Sequence, residues 1–222
     1  MTDAKEGIER CIRHAVQSVG GDVPFGADLT KYIGPPLRES LAVLLRNPTE
    51  ERLEEALRRY RQRFEATGMY ENEVYPGIPE LLECAGAMSW RAYVVTSKPE
   101  AYAKRIVRYF RLDGFFAGIY GSQMDGKLAR KEDLIGQVLN VESIPAAHAV
   151  YIGDRDVDIR GAQANGVDSI GVTYGYGSRQ ELESAGATWI CDSPAAVREV
   201  LAIRFGTSMD APGSRPAKGR LS

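Results

Sequence analysis

The stretch "HAVYIGDRDVDIRGAQANG", residues 148–166, decides how this chain is read. Ala149 to Ile152 are apolar and form a candidate buried strand. The strand stops at Gly153 and delivers Asp154, Asp156 and Asp158 into a loop and the first turn of a new helix. Three carboxylates within five residues repel one another unless something positive sits among them.

Working outward, the same alternation repeats on both sides. A helix at 78–87 leads to the strand "RAYVVTS", and a helix at 99–110 leads to "FAGIYGS". A helix at 131–140 leads to "HAVYIGD", and one at 157–165 leads to "SIGVTYG". Ser178 and Glu181 form a capping-box pattern that opens another helix. "TWIC" is a short strand, and Ser193-Pro194 starts the last helix with proline at its first position. Apolar strands alternating with amphipathic helices predict an α/β fold, a Rossmann-like parallel sheet with helices on both faces. Gly161 and Ala162 are small, which lets their helix press close to the sheet.

Residues 4 to about 70 carry a different pattern. Ile8, Ile12, Ala15 and Val16 recur at helical spacing, "YIGPPL" makes a rigid turn, and Leu37 to Leu45 resume a helix. In "NPTEERLEEALRRYRQRF" Thr49 is a cap, Glu50 and Glu51 suit the positive end, and Leu53, Leu57, Tyr60 and Phe64 share one face. The expected organisation is a helical domain at 4–75, an α/β core at 76–205 and a disordered tail at 206–222, where periodicity is lost.

Bulk properties remove several classes of function. A net charge of −2 over 222 residues gives no electrostatic reason for nucleic acid or a membrane surface. No apolar run approaches the ~20 residues of a membrane helix, and "MTDAKEGIERC" is no signal peptide. Cys11, Cys84 and Cys191 match no zinc spacing and suit a reduced, cytoplasmic protein. With His14 and His148 as the sole histidines, a histidine-rich metal site is excluded.

In open parallel sheets the active site lies beyond the carboxyl ends of the strands. After "RAYVV", Thr96 and Ser97 offer hydroxyls near the start of a helix, a ready anion site; each could equally be a simple cap. After "FAGIY" come Lys127, Arg130 and Lys131, which can neutralise a phosphate or line a solvated helix start. After the quoted strand, Asp154 and Asp158 can face one point, and hard oxygen ligands without His or Cys suit Mg²⁺. Asp156 is as well explained by the helix dipole. A hydroxyl, a lysine and an acidic pair following three strands in order describe a site for a phosphate beside a magnesium ion.

Those segments, together with "YIGPPLRESL" and "ENEVYPGIPELL", resemble the haloacid dehalogenase-like hydrolase superfamily in its phosphoglycolate phosphatase-like branch. The resemblance runs from about residue 2 to 204 and makes the N-terminal helices a cap. It implies Mg²⁺-dependent hydrolysis of small phosphate monoesters, phosphoglycolate phosphatase-like or 5'-nucleotidase-like, through an aspartyl-phosphate. It makes Thr96 the phosphate-binding hydroxyl and Lys131 the phosphate-site lysine, a slot "RKEDLI" fits better than Lys127 does. It makes Asp154 and Asp158 the metal-holding acids, and places Ser97 and Lys98 in the phosphate pocket. The implied partner is a small phosphorylated metabolite, with neither nucleic acid nor membrane.

The resemblance also implies a first strand ending in an aspartate nucleophile, with a second aspartate two residues later as acid and base. "MTDAKEGIERC" resembles the part of the family's sequence just after that segment. Both aspartates and the first core strand are therefore expected upstream of Met1, and the 222 residues alone are expected to be inactive. Asp3 aligns with a trailing acid, while Asp22 and Asp28 fall within the cap. A receiver-type signalling domain would carry its acidic pair early and no helical start. A dehalogenase would need no Mg²⁺. A phosphate-binding relic without catalysis is the remaining alternative. Arg38 is read as solvated rather than as a carboxylate ligand, and the role of "TYGYGS", 173–178, is open.

Overall fold

A computed structural model describes residues 1–34, 36–123, 128 and 130–206. Lys127 and most of the tail expected to be disordered lie outside the described residues. The helical half contains α1 (Lys5–Ser18), α2 (Leu37–Leu44) and α3 (Glu50–Arg63). Ile12, Ala15 and Val16 of α1 meet Leu41 of α2 and Leu53, Ala56 and Leu57 of α3, all buried. Thr49 caps α3 by accepting the Arg52 N–H at 3.3 Å.

Beyond Arg63 the helix widens into a π-turn, Phe64–Gly68, which periodicity does not reveal. It turns Phe64 toward the α/β half. A short antiparallel pair, β1 (Thr2–Asp3) with β2 (Glu73–Val74), then closes the helical half where the chain enters and leaves it. Neither strand is legible in the sequence, because two residues carry no period.

The second half alternates as expected: α4 (Ile78–Ala87), β3 (Ala92–Pro99), α5 (Glu100–Tyr109), β4 (Phe116–Ser122), α6 (Lys131–Val141), β5 (Val150–Gly153), α7 (Asp156–Ala164), β6 (Asp168–Val172), α8 (Arg179–Ser184), β7 (Trp189–Cys191) and α9 (Pro194–Phe205). Ser178 and Ser193 cap α8 and α9 as expected. Successive β6 residues face opposite layers. Ile170 and Val172 pack with Leu81 of α4 and Val197 and Leu201 of α9, whereas Gly171 faces Leu182 of α8. Helices therefore cover both faces. One strand boundary differs from expectation. β3 keeps pairing with β4 to Pro99, through an irregularity between Thr96 and Pro99, instead of ending before the proline. Among the described residues no helix is long and apolar enough to cross a membrane.

The strands form two parallel groups, β3–β4 and β5–β6–β7, with no ladder between β3 and β5 among the described residues. The interval is bridged by side chains. Tyr151 of β5 donates its hydroxyl to the Val95 carbonyl of β3 at 2.9 Å. Ile152 remains 38 % exposed, which is unusual for an apolar residue in a β-strand. Lys131 joins the two groups near Thr96 and Asp154, reaching both the Val95 carbonyl of β3 and Asp158 just after β5.

Candidate active site

The acid loop folds back on its own strand. A side chain at Gly153 would place its Cβ 2.3 Å from Asp158 Cβ, so glycine is what lets Asp158 lie against the strand end. There Asp158 Oδ2 accepts the N–H groups of Asp154 and Arg155, each at 3.2 Å. This is half of a capping box at the start of α7. Asp158 Oδ1 faces Lys131 Nζ at 2.9 Å, with both side chains nearly buried.

Lys131 opens α6 and reaches across the interval in the sheet. Its ammonium donates to the Tyr151 hydroxyl at 2.7 Å and to the Val95 carbonyl at 3.1 Å. Burial works to lower its pKa, but Tyr151 and Asp158 outweigh burial and hold it above the ordinary lysine value. Burial pushes the Tyr151 phenol up to about 12, so it stays a donor. Gly161 is small for a reason other than sheet contact. Its Cβ would sit 2.8 Å from Lys131 Cβ, so α7 presses on α6 at Lys131. Asn165 fixes that contact by donating to the carbonyls of Glu132 and Gly161, both at 2.9 Å.

Asp154 is held by a segment whose role the sequence leaves open. Its Oδ2 accepts the Tyr176 N–H at 2.7 Å. A Cβ at Gly175 would come within 2.3 Å of the Asp154 carboxylate. "TYGYGS" is therefore a sleeve around Asp154. The Tyr176 hydroxyl continues outward, donating to Asp3 Oδ1 at 2.8 Å and accepting the Ala4 N–H at 2.9 Å. Burial and Asp3 together raise the Tyr176 phenol well above the usual tyrosine value. Met1 lies near this loop as well: burial lowers the pKa of its amino group while Asp154 and Asp158 pull it back.

The remaining candidates fall in different places. Thr96 stands directly after Val95, and its Oγ1 accepts the Lys98 N–H at 3.2 Å, which holds the hydroxyl at the strand end. Ser97 is exposed, and its carbonyl accepts the Ser122 hydroxyl at 2.8 Å. The Lys98 ammonium lies 5.0 Å from the Phe64 ring centroid, against the π-turn of the helical half. Asp156 pairs with Arg160 at 3.4 Å, in keeping with a helix-start acid. Arg38 pairs with the exposed Glu50 and Glu54 and does not face the acid loop. Asp3 Oδ1 accepts from both Lys5 N and the Tyr176 hydroxyl.

The structure thus brings Asp154, Asp158, Lys131 and the end of the Thr96 strand into one cluster. Sequence reading missed Tyr151, Tyr176 and Arg155. A tyrosine inside an apolar strand and the glycines flanking Tyr176 were the available signals. Among the described residues no three His, Cys, Asp or Glu side chains converge as a complete metal site. The donor set suits a hard cation in part. Asp154 keeps Oδ1 as the oxygen that can face an ion, whereas both Asp158 oxygens already accept hydrogen bonds.

A family model described as haloacid dehalogenase-like hydrolase matches residues 1–172, and the chain belongs to that family. It is 45% identical over 201 residues to a 5'-nucleotidase of Pseudomonas aeruginosa, covering 90% of each chain. It is 33% identical to tyrosine-protein kinase PtkA of Mycobacterium tuberculosis, covering 91% of this chain and 69% of that one. A phosphoglycolate phosphatase of Pseudomonas savastanoi matches more distantly, 27% identical over 143 residues, 64% of this chain and 51% of that one. Among solved structures, a predicted phosphatase from Clostridium acetobutylicum superposes with a TM-score of 0.84 at 38% identity, covering 91% of this chain and 94% of that one. The chain is a phosphatase-family hydrolase by descent and by fold.

Proposed function

We propose that this site binds the phosphate of a small phosphomonoester beside Mg²⁺ and serves its hydrolysis. The observation that carries the reading is Lys131, whose one ammonium touches the strand end that presents Thr96 and the acid that backs Asp154. A cation fixed at that junction, with a hydroxyl on one side and a carboxylate on the other, is built to hold phosphoryl oxygens. Asp154 would hold the ion directly, and Asp158 would act through the loop N–H groups and Lys131. When bound, the ion would shield anionic oxygens of the ester. Thr96 would donate to a phosphoryl oxygen, with Ser97 and Lys98 near the same strand end. The helical half, 4–75, would act as a cap and the 76–205 half as the catalytic core. Free Cys11, Cys84 and Cys191 fit a cytoplasmic setting.

The substrate we favour is a nucleoside monophosphate, since the 45%-identical relative is named a 5'-nucleotidase; phosphoglycolate is the next choice. Turnover through an aspartyl-phosphate needs a nucleophilic aspartate at the end of a central strand. Among the described residues the aspartate that follows β5 is Asp154, already assigned to the ion, and Asp3 lies in β1, paired with β2 of the helical half. We therefore propose that the 222-residue polypeptide alone turns over little or no ester, which keeps a non-catalytic phosphate-binding reading in play. The test compares it with a version extended at its N-terminus by an apolar strand ending in Asp-x-Asp. Both are given Mg²⁺ and a panel of phosphate monoesters. Metal-dependent turnover by the extended form alone supports the reading. Comparable turnover by the short form overturns the inactivity, and turnover by neither leaves the binding reading.

A further inference from the structure

The acid loop touches the helical half at a second point, through Arg155. Arg155 follows Asp154, and its side chain is taken up by Glu181 and Ile33. Its Nε donates to Glu181 Oε1 at 2.8 Å, and the same oxygen accepts the Asp156 N–H at 3.0 Å. The guanidinium is thereby anchored on its core side between the start of α7 and α8. Its Nη1 reaches out and donates to the Ile33 carbonyl at 3.1 Å, across 122 positions of sequence. Ile33 is itself buried and directly precedes Gly34. Gly34 next to it has φ +108, and a Cβ there would lie 3.1 Å from Arg155 Nη1. The turn is shaped to receive the guanidinium: a side chain at 34 would strain the backbone and crowd the arginine at once. The backbone N–H of Arg155 meanwhile donates to Asp158. One residue therefore grips the helical half with its side chain and the acid pair with its main chain.

We propose that Arg155 is a positioning residue that makes docking of the 30–34 turn and ordering of the acid loop a single event. With the turn docked, Arg155 is held at both ends and Asp158 keeps its two N–H donors. With the turn lifted, the guanidinium loses its carbonyl acceptor and the loop loses an outer tether. Coupling of this kind is reciprocal, so a change made at either end must be felt at the other. A planar fork is suited to the task because its Nε and Nη1 serve two acceptors in fixed directions, which an ammonium cannot do.

The coupling rests on the site proposed for phosphate, but its test needs no catalysis. Hydrogen–deuterium exchange would be followed in the full 222-residue protein and in Arg155→Ala, Arg155→Lys and Gly34→Ala. In Arg155→Ala and Arg155→Lys, exchange in 30–34 is expected to rise tenfold or more while α1 and α3 keep their protection. In Gly34→Ala, made in the helical half, exchange in 153–158 is expected to rise likewise. An unchanged acid loop in Gly34→Ala, or an unchanged turn in Arg155→Ala, overturns the coupling. Full protection in Arg155→Lys overturns the role of the planar fork. Failure of the phosphatase screen would leave these exchange results intact, so the two proposals fail separately.

Discussion

Lys131 Nζ stands 2.9 Å from Asp158 Oδ1, and the two form a nearly buried ion pair at the junction of the two halves of the sheet. Removing one partner of such a pair strands the other charge, at a typical cost of about 3–5 kcal/mol. Lys131→Met is therefore expected to lose stability on that scale, measured by urea denaturation, and Lys131→Met/Asp158→Asn is expected to recover part of the loss. The lysine pKa is raised by folding, so its stabilisation is complete below the unfolded-state value and fades only as pH rises through the folded one. Between pH 6 and 9 the cost of Lys131→Met is expected to be flat.

The same lysine is the sharpest probe of chemistry. In the N-terminally extended form, Lys131→Ala and Asp154→Asn are expected to lower kcat/KM by orders of magnitude, because the first removes the ammonium proposed to hold phosphoryl oxygens and the second the carboxylate proposed to hold Mg²⁺. Lys127→Ala serves as the control, and a larger loss there than at Lys131 would show that the wrong lysine has been assigned.

Magnesium binding can be followed without turnover. Titration of the 222-residue protein with Mg²⁺, read by calorimetry or by the rise in melting temperature, is expected to show binding that Asp154→Asn abolishes. Glu39→Gln, an exposed position in α2, is expected to change nothing.

Tyr176 carries the loop that sleeves Asp154. Tyr176→Phe removes the hydroxyl shared by Asp3 and the Ala4 N–H, with an expected loss of about 1–2 kcal/mol. Gly175→Ala is expected to weaken Mg²⁺ binding more than Tyr176→Phe does, since its Cβ would meet the Asp154 carboxylate at 2.3 Å. Calorimetric affinities of the two variants give the comparison.

Lys98 behaves in the opposite sense to Lys131. Burial pulls its ammonium down to about 8, beside the Phe64 ring. Its folded-state pKa lies below the unfolded one, so the protein bears a penalty that is complete below pH 8 and relieved as pH rises toward the unfolded value. Lys98→Met is expected to stabilise the protein by about 1–3 kcal/mol near pH 7, with the gain shrinking as pH rises above about 8. Equilibrium denaturation at three pH values measures this.

The range of each interaction decides whether the sequence discloses it or hides it. The order of α4 to α9 and β3 to β7 is local, written in runs of apolar residues and in caps such as Ser178 and Ser193. Asp154, Asp158 and Lys131 are legible because each follows a strand, and strands of a parallel sheet end on one side. Tyr151 is not, because its value depends on Val95, 56 positions earlier. The sleeve at 174–177 is hidden for the same reason: glycines read as a flexible turn until the carboxylate they enclose is in place. Lys98, two positions after Thr96, looks like a phosphate ligand, yet its long side chain turns to an aromatic ring supplied by the π-turn.

The interval between β3 and β5 also bears on cooperativity. A ladder would make the two strand groups melt as one, since each backbone bond constrains the next. Here the mechanical link is lateral: the Lys131 and Tyr151 contacts, and the seam where Gly161 and Asn165 lock α7 to α6. Stress that parts the halves of the sheet pulls on Lys131, on Tyr151 and on the α6–α7 seam together. The residue assigned to hold the phosphate is thus also one of the joints between the two strand groups.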